Sequence, residues 1–274
     1  MTLSRSEVQQ LLAEHGIHPS KALGQNFVAD PNTVERIVRL AELGAASTVV
    51  EVGAGLGSLT LGLAGAGARV LAIEIDSRLA AIVRDLVAGL DVEVICADAT
   101  RLDWAPLSGQ TSGPVALVAN LPYSVATSIV IRVLEEAPWV DRLLVMVQRE
   151  VGERWVAVPG DPAYGAVSVK IAYWASAAVI GRVPATVFVP RPKVESVLVR
   201  LRRLPEPAVD PAVVSYSRLE SVIRAGFAHR RKMLRRSLAG TVEPAAFEAA
   251  GVAPSARAEE LDVAAWGRLA KVDR

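Results

Sequence analysis

A doubly wound α/β sheet, mostly parallel with an antiparallel edge, followed by a small all-helical domain, is the fold class that the sequence predicts. Three observations predict it. Short apolar runs alternate with segments of helical period through the first half of the chain. The late pair of strand-like runs has no clear helix between its members. The stretch LPEPAVDP (204–211) then places three prolines in eight residues, and beyond it only helical patterns occur.

The elements follow in order. MTLSRSEVQQLLAEHG reads as a polar start and an amphipathic helix, without the pattern of a signal peptide. STVVEVGAG holds a first strand, Thr48–Val52, and then a glycine-rich turn. LGSLTLGLAGAG is a small-residue helix, ARVLAIEID a second strand, and SRLAAIVRDLVAGL a helix. DVEVICADA and PVALVANLPY give the third and fourth strands, TSIVIRVLEEA a helix, and DRLLVMVQ the fifth strand. YGAVSVKIAYW reads as a helix, AAVIGRV and KVESVLVRLRR as strands that form an antiparallel edge. Helical patterns lie near 212–225, 230–238, 243–250 and 259–270. The expected domains are therefore 1–204 and 205–274.

Composition excludes several classes. The 274 residues are 51% hydrophobic, yet no run approaches the ~20 apolar residues of a membrane span. One cysteine, Cys96, rules out an internal disulfide framework and fits a reducing, cytoplasmic compartment. Cys96 itself is expected to be a buried small apolar residue. His15, His18 and His229 are scattered, so no metal centre is expected. The net charge of +1 hides an asymmetry: residues 182–236 carry 13 Lys+Arg against 4 Asp+Glu, or +9. Six basic residues and no acid lie between Arg224 and Arg236, namely Arg224, Arg230, Arg231, Lys232, Arg235 and Arg236. On a helix, Arg231 with Arg235 and Lys232 with Arg236 would form a ridge that contacts phosphates. Arg191 and Lys193 flank Pro192 and extend this surface, as do Arg200, Arg202 and Arg203. An anionic partner such as RNA is the implication.

The strand ends carry the chemistry. Glu51-Val-Gly53-Ala-Gly55-Leu-Gly57 gives a G-x-G-x-G turn, in which glycine lets the backbone turn tightly and approach a ligand. That spacing differs from the G-x-G-x-x-G that cradles a pyrophosphate, which disfavours a nicotinamide oxidoreductase. Glu74 ends the second strand, 21 residues after Gly53, where an acid can accept bonds from ribose hydroxyls. Asp98 closes the third strand and could accept a bond from an adenine amino group. Asn120 closes the fourth. A nucleoside site without a diphosphate clamp suggests S-adenosylmethionine, and the arrangement resembles the class I methyltransferase fold.

Asn120-Leu121-Pro122-Tyr123 fits methylation of an exocyclic amine. The Asn120 side-chain oxygen and the Leu121 carbonyl offer two acceptors for the two N–H groups of adenine. Pro122 biases Leu121 away from helical backbone, and Tyr123 can stack on the base. The gain is positioning, so no strong general base is required.

With KALGQNFV, EVGAGLGSLT, AIEID, CADAT, NLPY, MVQREVGER, YGAVSV, VFVPRPKVESVLVRL and FAHRRKMLRRSL in that order, the chain resembles the rRNA adenine N6-dimethyltransferase family along nearly its whole length. It is most similar to the bacterial small-subunit branch, of KsgA/RsmA type. The resemblance implies that Asn26 and Val28 line the cofactor pocket with Gly53 and Gly55, that Glu74 holds the ribose and Asp98 the adenine, that Asn120 sits between the cofactor it helps to bind and the target base, and that Tyr123 and Phe188 sandwich that base. It also implies a monomer that dimethylates two adjacent adenosines near the 3′ end of small-subunit rRNA in an assembling particle. A large-subunit rRNA adenine methyltransferase of the antibiotic-resistance type, or a non-catalytic assembly factor of the same fold, are the alternatives. Val28, Ala54 and Thr100 depart from the leucine, proline and leucine frequent in the family, and none of these changes removes a proposed hydrogen-bonding group.

Overall fold

A computed structural model describes residues 2–20, 23–44, 47–111, 113–229 and 232–271. The strands are β1 (Phe27–Val28), β2 (Thr48–Val52), β3 (Arg69–Glu74), β4 (Val92–Cys96), β5 (Val115–Asn120), β6 (Arg142–Gln148), β7 (Ala175–Val183), β8 (Phe188–Val189) and β9 (Ser196–Arg203). The helices are α1 (Arg5–Glu14), α2 (Pro31–Leu40), α3 (Ser58–Gly65), α4 (Ser77–Leu86), α5 (Ala126–Glu136), α6 (Arg149–Val156), α7 (Ala166–Trp174), α8 (Tyr216–Ala228), α9 (Leu234–Ser237), α10 (Pro244–Ala249) and α11 (Val263–Ala270).

Seven strands form one sheet in the order β4-β3-β2-β5-β6-β9-β7. The five expected strands pair in parallel, and β9 runs antiparallel to β6. Every residue of β2 is buried, as are the first five of β5, which is why both read as unbroken apolar runs. The strand order reverses between β2 and β5, and open sheets of this kind bind ligands in the crevice at such a switch point. Helix starts follow local chemistry. Asp30 caps α2 ahead of Pro31, and Asp76 caps α4 by accepting from the Arg78 amide at 3.0 Å.

The chain divides into two compact units, 1–152 with 178–202, and 153–177 with 203–274. A single cut at residue 204 does not describe this division, because 153–177 pack with the helical unit. Tyr164, Val169 and Tyr173 sit in the same core as Leu219, Ile223, Leu234 and Trp266. The Tyr164 hydroxyl donates to the Leu261 carbonyl at 2.7 Å, and Lys170 pairs with Glu220.

Two further expectations give way here. Cys96 is exposed, because β4 is the edge strand of the sheet and has no fully buried position. The helix near 230–238 contracts to Leu234–Ser237. Met233 instead bridges Arg257, and the amides of Leu234 and Arg235 donate to the carbonyls of Ala256 and Pro254 at 2.8 and 3.1 Å. Lys232 therefore precedes the helix and cannot form the ridge with Arg236. Arg230 and Arg231 lie outside the described residues.

Candidate active site

A cleft of about 200 Å³ lies at the β2/β5 switch point in the first unit. Asn26, Val28, Gly53, Gly55, Glu74, Asp98, Asn120, Leu121, Pro122 and Tyr123 all line it. Sequence reasoning placed these ten on strand ends and in one N-terminal segment, and the parallel topology brings them to one edge.

The turn after β2 needs glycine. Gly53 and Gly55 have φ of 79° and 59°, which L side chains rarely adopt. A Cβ on Gly55 would lie 3.0 Å from the Phe27 ring, and one on Gly53 would lie 3.6 Å from the Asn120 carbonyl oxygen. The backbone of β2 thus closes directly on the end of β5.

Glu74 is 5% exposed and holds this turn. Its two carboxylate oxygens accept from the Gly55 amide at 2.8 Å and from the Asp76 amide at 2.9 Å. Burial nevertheless pushes its carboxyl above the usual range. Asp98 behaves in the opposite way. The Thr100 hydroxyl and amide both donate to Asp98 Oδ1, at 2.7 and 2.8 Å, and hold its carboxyl below the usual range.

Asn120 is fixed by a long-range bond. Its Nδ2 donates to the Asn26 backbone carbonyl at 3.0 Å. A carbonyl can only accept, so this bond sets the amide orientation and turns Oδ1 to the other side. Among the described residues neither Asn120 Oδ1 nor the Leu121 carbonyl accepts a hydrogen bond. Tyr123 is half-buried, and its hydroxyl lies 2.7 Å from Ser196 Oγ.

Phe188 is placed elsewhere. It is fully buried in the hydrophobic core of this unit and does not line the cleft, because β8 pairs antiparallel with β1 and registers Phe188 against Val28. Arg191 and Lys193 are exposed on the loop before β9. Arg200 and Arg202 share one carboxylate partner, Glu42, at 2.9 and 2.7 Å. Gln148, Arg149 and Glu150 stand outside the cleft lining. In the helical unit Arg224, Lys232, Arg235 and Arg236 are exposed.

Three features escaped sequence reasoning. Ser196 is buried and reaches Tyr123 across 73 residues, a pairing with no local signal. Glu51 lines the cleft and accepts from the Thr60 hydroxyl at 2.6 Å. Burial raises its carboxyl from 4.5 to about 8; an acid inside an apolar strand was the available signal. Ser58 Oγ is buried in the cleft lining and has no partner.

The glycine turn, two strand-end acids and an amide at the switch point define a class I methyltransferase. Residues 18–273 match the family described as "Ribosomal RNA adenine dimethylase", and the chain belongs to that family. It is 48% identical over 278 residues to Ribosomal RNA small subunit methyltransferase A of Kineococcus radiotolerans, covering 98% of this chain and 90% of the relative. The same-named protein of Thermobifida fusca is 45% identical over 280 residues, covering 98% and 95%. Among solved structures, the 23S rRNA methyltransferase ErmE aligns with a TM-score of 0.68 at 30% identity, covering 89% of this chain and 98% of that one. A dimethyladenosine transferase from Plasmodium falciparum shares the fold, with a TM-score of 0.74 at 22% identity, covering 89% and 95%.

The residues present fit S-adenosylmethionine. Glu74 and Asp98 offer acceptors for hydroxyl and amino groups, and the buried Ser58 hydroxyl in the lining has a hydrogen bond still to make. No helix among the described residues is long and apolar enough to cross a membrane.

Proposed function

We propose that this protein transfers methyl groups from S-adenosylmethionine to the N6 amines of two adjacent adenosines near the 3′ end of small-subunit rRNA, giving N6,N6-dimethyladenosines. The observation that carries the reading is the locked Asn120 amide. With Nδ2 held by the Asn26 carbonyl, Oδ1 and the Leu121 carbonyl are two acceptors beside one another in sequence, suited to the two N–H groups of an adenine amine. Accepting from both N–H groups turns the nitrogen lone pair out of conjugation with the ring.

When bound, the donor supplies a methyl on a positively charged sulfur. Gly53, Gly55, Glu74 and Asp98 would hold it, with Asn26 and Val28 closing the other side. Tyr123 presents a ring to the target base, and its hydroxyl is tethered at Ser196. A base in a duplex or stack must leave it to enter such a pocket. The described cleft lining contains no histidine, lysine, arginine or cysteine, and its carboxylates Glu51, Glu74 and Asp98 are each engaged by hydrogen bonds from Thr60, from the Gly55 and Asp76 amides, and from Thr100. Catalysis by positioning in near-attack geometry is consistent with that lining.

The small-subunit target is favoured over a large-subunit one by relatedness. The curated relatives carrying the small-subunit name are 44–48% identical, against 30% for the 23S enzyme. A soluble monomer in the cytoplasm, acting on an assembling ribosomal particle, completes the reading. Arg191 and Lys193 on one unit, and Arg224, Lys232, Arg235 and Arg236 on the other, would contact phosphates, with Arg230 and Arg231 beside them in sequence.

The test uses labelled S-adenosylmethionine and small ribosomal particles lacking the modification. Digestion and mass spectrometry should find dimethyladenosine at two adjacent positions near the 3′ end. Label confined to large-subunit RNA would overturn the target, and bound cofactor without transfer would overturn the activity.

A further inference from the structure

The loop after β4 contains a feature that the general reading of the cleft leaves unused. Asp98 sits beyond the edge strand, with its side chain 34% exposed. A carboxylate in such a place is free to rotate unless something holds it. Here Thr100 does so twice. Its amide and its hydroxyl both donate to the same oxygen, Oδ1, at 2.8 and 2.7 Å. Two donors match the two lone pairs of that oxygen. The second oxygen, Oδ2, has only the Arg101 Nε at 3.9 Å, on a side chain 87% exposed and so well screened by water. Thr100 is β-branched, and its own rotamer is stiff. One carboxylate oxygen is therefore saturated and the other is left for a ligand, in a lining that both residues share.

We propose that Thr100 is a positioning residue that fixes Asp98 so that Oδ2 alone reads the exocyclic amino group of the donor's purine. The inference rests on the reading of the cleft as an S-adenosylmethionine site, and it adds a specificity device to that site. An ionised carboxylate oxygen can only accept, so it binds an amino group and repels a carbonyl placed at the same point. Arg101 on the same loop and Arg132 from α5 also favour the charged form of Asp98, and Glu74 at the neighbouring strand end shares the cleft lining. The hydroxyl of Thr100 is the largest influence that keeps Asp98 ionised. Removing it moves the acid limb of ligand binding to higher pH, since binding needs the charged form and is lost as pH falls through the carboxyl's pKa.

The experiment measures equilibrium binding by calorimetry, with no turnover. The probes are S-adenosylhomocysteine and its hypoxanthine counterpart, in which a carbonyl replaces the amino group. The proteins are the full chain and its Thr100→Val and Thr100→Ser variants, each checked for an unchanged melting temperature without ligand. Valine keeps the backbone amide and the branched shape and removes only the hydroxyl. Thr100→Val should bind the adenine compound about tenfold more weakly, with a similar fall in preference over the hypoxanthine compound. Its acid limb should shift to higher pH. Thr100→Ser should stay within about threefold of the parent. Parental affinity and preference in Thr100→Val would overturn the assignment, and so would a Thr100→Ser loss as large as that of Thr100→Val. Failure of the parent chain to bind either compound would overturn the cleft reading itself, and the assignment with it.

Discussion

The NLPY turn and the basic stretch 224–236 are both proposed to touch RNA, and they are built in opposite ways. Asn120 is half-buried and held by a backbone carbonyl 94 residues away in sequence. Tyr123 beside it is tied by its hydroxyl to a buried serine. Arg224, Lys232, Arg235 and Arg236 are exposed and form no ion pair among the described residues. The first region specifies one geometry, and the second supplies charge that water and salt screen. Chemistry on a single nitrogen needs the former, because small misplacements lose near-attack geometry. Holding a polyanion needs only the latter.

Mutations should separate the two regions by the quantity they move. Asn120→Ala has the largest expected effect: a loss of about a thousandfold in single-turnover methyl transfer, with RNA and cofactor affinity within about threefold of the parent. A parallel loss of RNA affinity would dissolve the contrast. Neutralising Lys232, Arg235 and Arg236 together to glutamine should weaken particle binding about ten- to a hundredfold and lower the salt slope by about two to three, leaving cofactor affinity unchanged. Affinity that stays at the parental value in moderate salt would remove this stretch from the RNA surface. Ser196→Ala should lower the transfer rate at saturating RNA about fivefold, since Tyr123 keeps its ring and loses its tether. An effect on KM alone would mean that the tether serves binding and not positioning.

A separate expected effect is on stability. Glu51 is buried, with its carboxyl raised from 4.5 to about 8. Between those values the unfolded chain has released this proton while the folded chain retains it, so the contribution of Glu51 to stability falls as pH rises through that window. Glu51→Gln keeps the acceptor for Thr60 and has no proton to lose. Its melting temperature relative to the parent should therefore climb from pH 5 to pH 8. A difference that is flat in pH would show that Glu51 is ionised in the fold.

Much of this was legible in the sequence because parallel topology puts strand ends at one edge. Buried strands such as β2 and β5 read as apolar runs, and the polar residues that follow them must then converge. What was not legible depends on pairing between distant segments. Phe188 looks like a free aromatic in its loop, and only the β1–β8 ladder shows that it is buried. Cys96 sits in an apolar run that turns out to be the sheet edge. The basic ridge assumed a helix that the 254–257 segment interrupts by taking the backbone of Met233 to Arg235. The Glu42 pairs with Arg200 and Arg202 are likewise invisible to charge counting.

The central claim is that Asn120 presents its oxygen, with the Leu121 carbonyl, to a flipped adenine. A crystal structure with S-adenosylhomocysteine and a short adenine-containing RNA tests it most directly. The account predicts the N6 amine within hydrogen-bonding distance of Asn120 Oδ1 and the Leu121 carbonyl, with Nδ2 still on the Asn26 carbonyl. An Asn120 amide turned so that Nδ2 faces the base, or a base seated away from Tyr123, would contradict it.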